Sequence, residues 1–146
     1  MLSKSVAVLC VLGIVFSSYL LYLHYTPEEL DSSFCNISNF LSCSTVNTSS
    51  YATFLGIPVA LIGVLGFIWM LYLSFGRFVH AGVALFYSSL LALLFMLYLT
   101  FAELFIIGAV CIVCVSVLVL IMWIFWIAAR RFGHESVLFV KELKIE

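Results

Sequence analysis

Charged side chains are nearly missing from this 146-residue sequence: six Lys and Arg and seven Asp and Glu, 9% in all. Soluble domains carry about 25%, so a water-soluble globular fold is excluded. The formal net charge of −1 gives no basic face for nucleic acid and no drive for surface adsorption. Long polar stretches are missing as well. Only one, roughly 25–53, interrupts the chain, which leaves no room for a hidden soluble domain. There is no internal repeat and no low-complexity tract. What remains is apolar, 66% hydrophobic with a mean hydropathy of +1.30. The class that follows is an integral membrane protein.

Four apolar runs, at about 5–24, 54–74, 81–101 and 104–128, are each long enough for one membrane-crossing helix. The fold class expected is therefore an all-α, four-transmembrane-helix bundle. It forms one domain over 1–146, with a partly helical extracytoplasmic cap in the loop 25–53 and a tail at 130–146. A cleaved signal peptide would need a shorter apolar region and a small-residue cleavage site. Here Tyr19 to Tyr25 supplies an aromatic interface belt instead, so the first run is retained as a helix. Cys10 within it reads as a small packing residue. Thr26-Pro27 followed by two acids reads as a helix start. Gly56-Ile57-Pro58 marks a broken first turn or close backbone approach, and Gly63 and Gly66 are expected to seat a neighbouring helix. Glu103 is read as the break between the third and fourth runs, in an external turn, with assistance of proton transfer near the cysteines as its functional alternative.

Orientation follows from where the few charges fall. With four spans, the termini and the connection at 75–80 share a side. That side holds Lys4, Arg77, Arg130, Arg131, Lys141 and Lys144, every Lys and Arg in the chain. By the positive-inside rule it is cytoplasmic. Glu28, Glu29, Asp31 and Glu103 fall opposite, facing outside or into a lumen, where disulfides persist. The cell membrane is the expected location, or the endoplasmic reticulum membrane in a eukaryote.

Four of the five cysteines converge on that outer face. Cys111-Ile112-Val113-Cys114 is a CxxC, about 10 Å along a helix that begins at Leu104. Residues three apart share a helix face, so the two sulfurs can meet as dithiol or disulfide. Cys35 and Cys43 lie eight apart in the loop; they can close a disulfide and reach a soluble partner. One of them can exchange with the CxxC, since exchange needs only a thiolate and an accessible disulfide sulfur. Electrons must then leave into the membrane, and a quinone fits a shallow apolar pocket. Two blander accounts exist: a loop staple beside packing cysteines in a non-catalytic tetraspan scaffold, or a four-cysteine zinc site. The spacing suits zinc poorly, and no metal is expected. His24, His80 and His134 sit near span ends, so a haem pair is not expected either.

The order Cys35-x7-Cys43, then Ser49, then Gly56-Ile57-Pro58, then CIVC at the head of the fourth helix resembles the vitamin K epoxide reductase family across essentially the whole chain. The DsbB family, the other four-helix quinone-linked oxidase, is less similar. The resemblance implies that Cys35 exchanges with a thioredoxin-like or DsbA-like carrier, that Cys43 passes electrons to Cys111, and that Cys114 faces the quinone. It implies a hydrogen-bonding support role for Ser49. Val46, Asn47, Tyr51 and Ile107 would line the quinone pocket. The co-substrate would be ubiquinone or a menaquinone/vitamin K type quinone. Animal members carry a tyrosine four residues after the second CxxC cysteine, where this chain has Leu118, and their pocket asparagine has no counterpart near Val59. With those polar handles gone, a microbial-type thiol oxidase supporting disulfide formation is expected ahead of an epoxide reductase. Some microbial relatives fuse a thioredoxin domain; this tail is too short for one, so the carrier is expected to be a separate chain. Asn36-Ile37-Ser38 and Asn47-Thr48-Ser49 are glycosylation sequons, and a glycan on Asn47 would crowd the quinone loop.

Overall fold

In hydrocarbon every peptide group needs an internal partner, and the apolar stretches of this chain meet that need as helices. The computed structural model describes residues 3–26, 28, 36–38, 40–76 and 81–143. The helix start expected at Pro27, the loop cysteine Cys35, and Arg77 and His80 of the second connection lie outside them. The long helices are α1 (Ser3–Tyr25), α3 (Val59–Phe75), α4 (Ala81–Ala102) and α5 (Ile112–Leu143). A one-turn helix, α2 (Cys43–Asn47), and a short 3-10 turn at Ser50–Ala52 lie between α1 and α3. α1, α4 with its extension, and the first part of α5 are long and apolar enough to cross a membrane. α3 has 17 residues, about 25 Å at 1.5 Å per residue.

Two boundaries differ from the sequence reading. The second apolar helix starts at Val59 and not near Phe54. Thr53–Phe54 and Ile57–Pro58 instead pair as a minimal antiparallel hairpin around Leu55-Gly56. Both turn residues have positive φ, 54° and 81°, as a two-residue turn matched to strand twist requires. At the end of α1, Thr26 N–H and hydroxyl both donate to Tyr22 O, at 3.1 and 2.8 Å. The helix α4 does not stop at Glu103. It widens into a π turn over Glu103–Ile107 and ends at Gly108, whose φ of +70° suits glycine. The fourth apolar helix accordingly begins eight residues later than expected, at Ile112. α5 then runs on as one helix of 32 residues, carrying the first part of the charged tail beyond its apolar portion.

The helices pack chiefly as α1 on α3 and α4 on α5, with α1 also against α5. Val6, Cys10, Phe67, Met70, Leu85, Val117 and Ile124 form the central core, so Cys10 is a packing residue. Large side chains such as Trp69, Leu91, Trp123 and Trp126 point outward, the arrangement of a protein whose surroundings are lipid. Small residues set the α1–α3 contact. A Cβ at Gly63 would stand 2.9 Å from Ser17 Oγ, and one at Gly13 would enter the ring of the fully buried Phe67. Gly66 meets nothing within 4 Å, so it does not seat a helix as expected. It borders a cleft between α3 and α4, which Trp69 Nε1 bridges by donating to Ser88 Oγ at 3.2 Å.

Overpacking at Gly13 separates the two glycine roles. Gly13→Ala should lower stability by about 1–3 kcal/mol, while Gly66→Ala should change it by less than about 0.5 kcal/mol. Thermal unfolding in detergent, comparing the midpoints of the two variants with the parent, checks both.

Candidate active site

The site is assembled by a short piece of backbone pairing. Leu41 forms a parallel bridge with Val110: Val110 N–H donates to Phe40 O at 2.7 Å, and Ser42 N–H donates to Val110 O at 3.2 Å. Cys43 follows Ser42, and Cys111 follows Val110. Pairing the residues before them brings the two sulfurs to 3.1 Å, with the Cys111 thiol donating toward Cys43 Sγ. Ser42 locks the loop side of this clamp. Its hydroxyl caps α2 by accepting Thr45 N–H at 3.2 Å and donates to Asn36 Oδ1, which also accepts Ser44 N–H at 3.1 Å.

Cys43 is held in a disulfide, whereas Cys10, Cys111 and Cys114 carry free thiols. Cys43 and Cys111 are 0% and 1% exposed, packed with Leu20 and Val113, while Cys114 at their side is more open. Cys111 does not lie 10 Å inside a helix. It stands at the N-cap of α5, and its sulfur accepts the N–H of Cys114 at 3.4 Å. Hydrogen bonding to Cys114 brings the Cys111 thiol below its ordinary value, against burial and the nearby Glu103 carboxylate, which push the other way. A sulfur at a helix N-terminus is a place where thiolate is favoured.

Cys111 and Cys114 open onto a cavity at the loop end of the bundle. Its wall includes Val46, Asn47, Tyr51 and Ile107, the four positions that the sequence reading set around the pocket, together with Ser49, read there as a supporting residue, and Val59 of α3. Ser49 supports the loop by donating to Val46 O at 2.6 Å, and Asn47 Nδ2 donates to Leu20 O at 3.4 Å. That amide nitrogen, the atom a glycan would need, is thus tied down. Cys35 lies outside the described residues. Val117, not Leu118, reaches the cavity wall from α5.

Two polar wall residues were not assigned to the pocket from the sequence. Ser17 enters from α1, where a lone serine in an apolar run gives no signal of its direction. Glu103 is the larger correction. It is not in an external turn: it is 4% exposed, and its Oε2 accepts the Cys111 N–H at 3.3 Å. Its presence in an apolar run was the available clue.

A family model described as the Vitamin K epoxide reductase family matches residues 4–129. The chain belongs to that family. Membership makes it an oxidoreductase of a membrane family and ties its chemistry to thiols and quinones. It covers every element that builds the site, from α1 through the apolar part of α5.

The backbone clamp is testable apart from turnover. In a Cys35→Ala/Cys114→Ala background, mild oxidation should join Cys43 to Cys111 efficiently. Adding Val110→Pro removes the donor to Phe40 O, and one lost hydrogen bond of about 1 kcal/mol corresponds to about a fivefold fall in that yield. Mass spectrometry of non-reduced peptides measures it.

Proposed function

We propose that this member of the family oxidises a secreted thioredoxin-like carrier and passes the electrons to a membrane quinone. The observation that carries the reading is the 3.1 Å approach of Cys111 Sγ to a disulfide-bonded Cys43, beside a thiol that opens onto an apolar cavity. In this reading Cys35, the loop cysteine eight residues before it, is the disulfide partner of Cys43. The bundle spans the membrane four times with its basic side cytoplasmic, and the site faces outside or a lumen.

The cycle is a sequence of thiol–disulfide exchanges. A carrier thiolate attacks Cys35, and Cys43 leaves as thiolate. The carrier's second thiol resolves the mixed disulfide, so the carrier departs oxidised and Cys35 is freed. Cys43 attacks Cys111 of the Cys111–Cys114 disulfide and releases Cys114. Cys35 then attacks Cys43, the outer disulfide closes again, and Cys111 is released as the second inner thiol. The inner pair now holds two electrons, which Cys114 delivers to the quinone as the Cys111–Cys114 bond reforms. At each exchange one S–S bond breaks and one forms. The N-cap position of Cys111 supports its part, because the helix end stabilises the thiolate leaving group.

Ser49 holds the loop carrying Val46, Asn47 and Tyr51 against the quinone head, and Ile107 closes the pocket from the π turn. The Leu118 position, tyrosine in animal members, contributes nothing to the cavity wall here, which supports quinone reduction over epoxide reduction. Any ubiquinone or menaquinone head meets the same few polar groups, all on the loop side or at Glu103 and Ser17.

Cysteine replacements separate the steps. Cys43→Ala mixed with oxidised carrier should accumulate a mixed disulfide, as the Cys35 thiol attacks the carrier disulfide, and Cys114→Ala a Cys43–Cys111 disulfide, each with quinone reduction lost. Non-reducing peptide mapping identifies the joined sulfurs. Electron transfer at the parent rate in Cys114→Ala protein would overturn the relay and leave a scaffold held by a loop disulfide.

A further inference from the structure

A carboxylate buried in an apolar bundle is costly unless something holds it, and Glu103 is held only by groups of the thiol site. Its Oε2 accepts the Cys111 N–H at 3.3 Å, and its side chain lines the same cavity wall as Cys114, three residues on from Cys111. Among the described residues no Lys or Arg lines the cavity. The side chain is aimed there by the π turn, which widens the helix at Glu103 and returns through Gly108, whose N–H donates to Glu103 O at 2.9 Å. Single π turns of this kind concentrate at functional positions. If an acceptor for the Cys111 N–H were all that was needed, a neutral amide would serve without the cost of a buried charge.

We propose that Glu103 is the proton acceptor for the Cys114 thiol during quinone reduction. The proposal rests on the quinone-linked reading above and adds the route of the protons. Reduction of the quinone removes two electrons and two protons from the Cys111–Cys114 dithiol. Glu103 takes the Cys114 proton, the sulfur reacts as thiolate, and the carboxylic acid gives that proton to a quinone oxygen. The Cys111 proton follows through the same carboxylate as the Cys111–Cys114 bond closes. Two S–H bonds break, one S–S bond and two O–H bonds form, and Glu103 ends as it began. Among the described residues, the other titratable groups facing this carboxyl are Cys111 and Cys114 from α5, Cys43 from α2 across Cys111, and the Tyr51 phenol in the cavity wall. Cys43 is disulfide-bonded, which leaves Glu103 as the carboxylate that shares the cavity wall with the reacting thiol.

The test uses the full chain in detergent, fully reduced with dithiothreitol, desalted and mixed with a short-tail ubiquinone in single turnover. Glu103→Gln keeps an oxygen for the Cys111 N–H and removes the base. The quinone step should fall about 100-fold near neutral pH, within the range for loss of general-base catalysis. It should recover as pH rises and the thiol ionises unaided. Exchange between Cys43 and Cys111 should not slow, because losing the Glu103 charge only eases ionisation of the Cys111 thiol, and the unfolding midpoint should stay at the parent value. Glu103→Asp, which retains a carboxylate, should recover part of the rate. A Glu103→Gln rate within twofold of the parent with the same pH profile would overturn the proposal. So would a loss shared equally by both half-reactions with no change in pH dependence, the mark of a purely structural role. Absence of quinone reduction in the parent protein would instead overturn the quinone-linked reading itself.

Discussion

Two short backbone segments, 40–42 and Val110, carry the architecture of the site. Everything on the loop side hangs from the polar stretch after α1, and everything on the membrane side belongs to the turn between α4 and α5. Sequence separation between Cys43 and Cys111 is 68 residues, so chain connectivity alone gives no reason for their sulfurs to meet. The Leu41–Val110 bridge supplies it. Its hydrogen bonds sit at the end of the bundle, shielded by Leu20 and Val113, where exclusion of water strengthens them. Because each clamped residue is the direct neighbour of a cysteine, little freedom remains between the fixed backbone and the sulfur.

The same turn solves a problem of charge. A thiolate needs stabilisation in an apolar setting, and the membrane offers none. Ending α4 late and starting α5 at Ile112 puts Cys111 on the first turn, where unpaired helix N–H groups are available. Had the fourth helix begun at Leu104, Cys111 would sit two turns inside it, with every nearby N–H already committed to a carbonyl. The π turn and Gly108 are what shift the helix start, so a backbone irregularity in α4 sets the chemical character of a residue in α5. The stretch that creates the N-cap also carries Glu103 beneath it.

Much of this was legible in the sequence because it depends on local pattern. Apolar runs of about 20 residues announce helices, the CxxC announces a thiol pair, and Ser49, Val46, Asn47 and Tyr51 sit close to Cys43 in sequence, so a resemblance in the loop carries them together into the cavity wall. The misplaced features share a different cause. Glu103 looks like a break between spans because a charge in an apolar run ends a hydropathy segment, while the backbone keeps its helix and turns the carboxyl inward. Ile57 and Pro58 read as part of a helical run by composition, yet the positive φ values of Leu55 and Gly56 fold them into a hairpin. Gly63 and Gly66 look equivalent in sequence, three apart on one helix face, and only the position of α1 distinguishes them. Direction within the bundle is a tertiary property. Hydropathy does not record it.

The distribution of polar groups around the cavity explains how a membrane site can favour one class of reaction. Asn47, Ser49 and Tyr51 enter from the loop, Ser17 from α1 and Glu103 from the end of α4, whereas α3 and α5 contribute Val59, Ala60 and Val117. A flat ring with oxygens on opposite sides would find hydrogen-bonding groups toward the loop and smooth hydrocarbon beyond it. The neighbouring cleft between α3 and α4 shares Val59, Gly63, Met96 and Val117 with this cavity, so the apolar end is continuous with the lipid-facing side. A molecule with a polar head and a long hydrocarbon tail is matched at both ends by such a gradient, and a soluble redox partner is matched at neither. In the proposed cycle the loop disulfide, reached through the clamp, is the route for a soluble partner. On that reading, separating the two routes on either side of one sulfur pair connects water-borne thiols to the membrane.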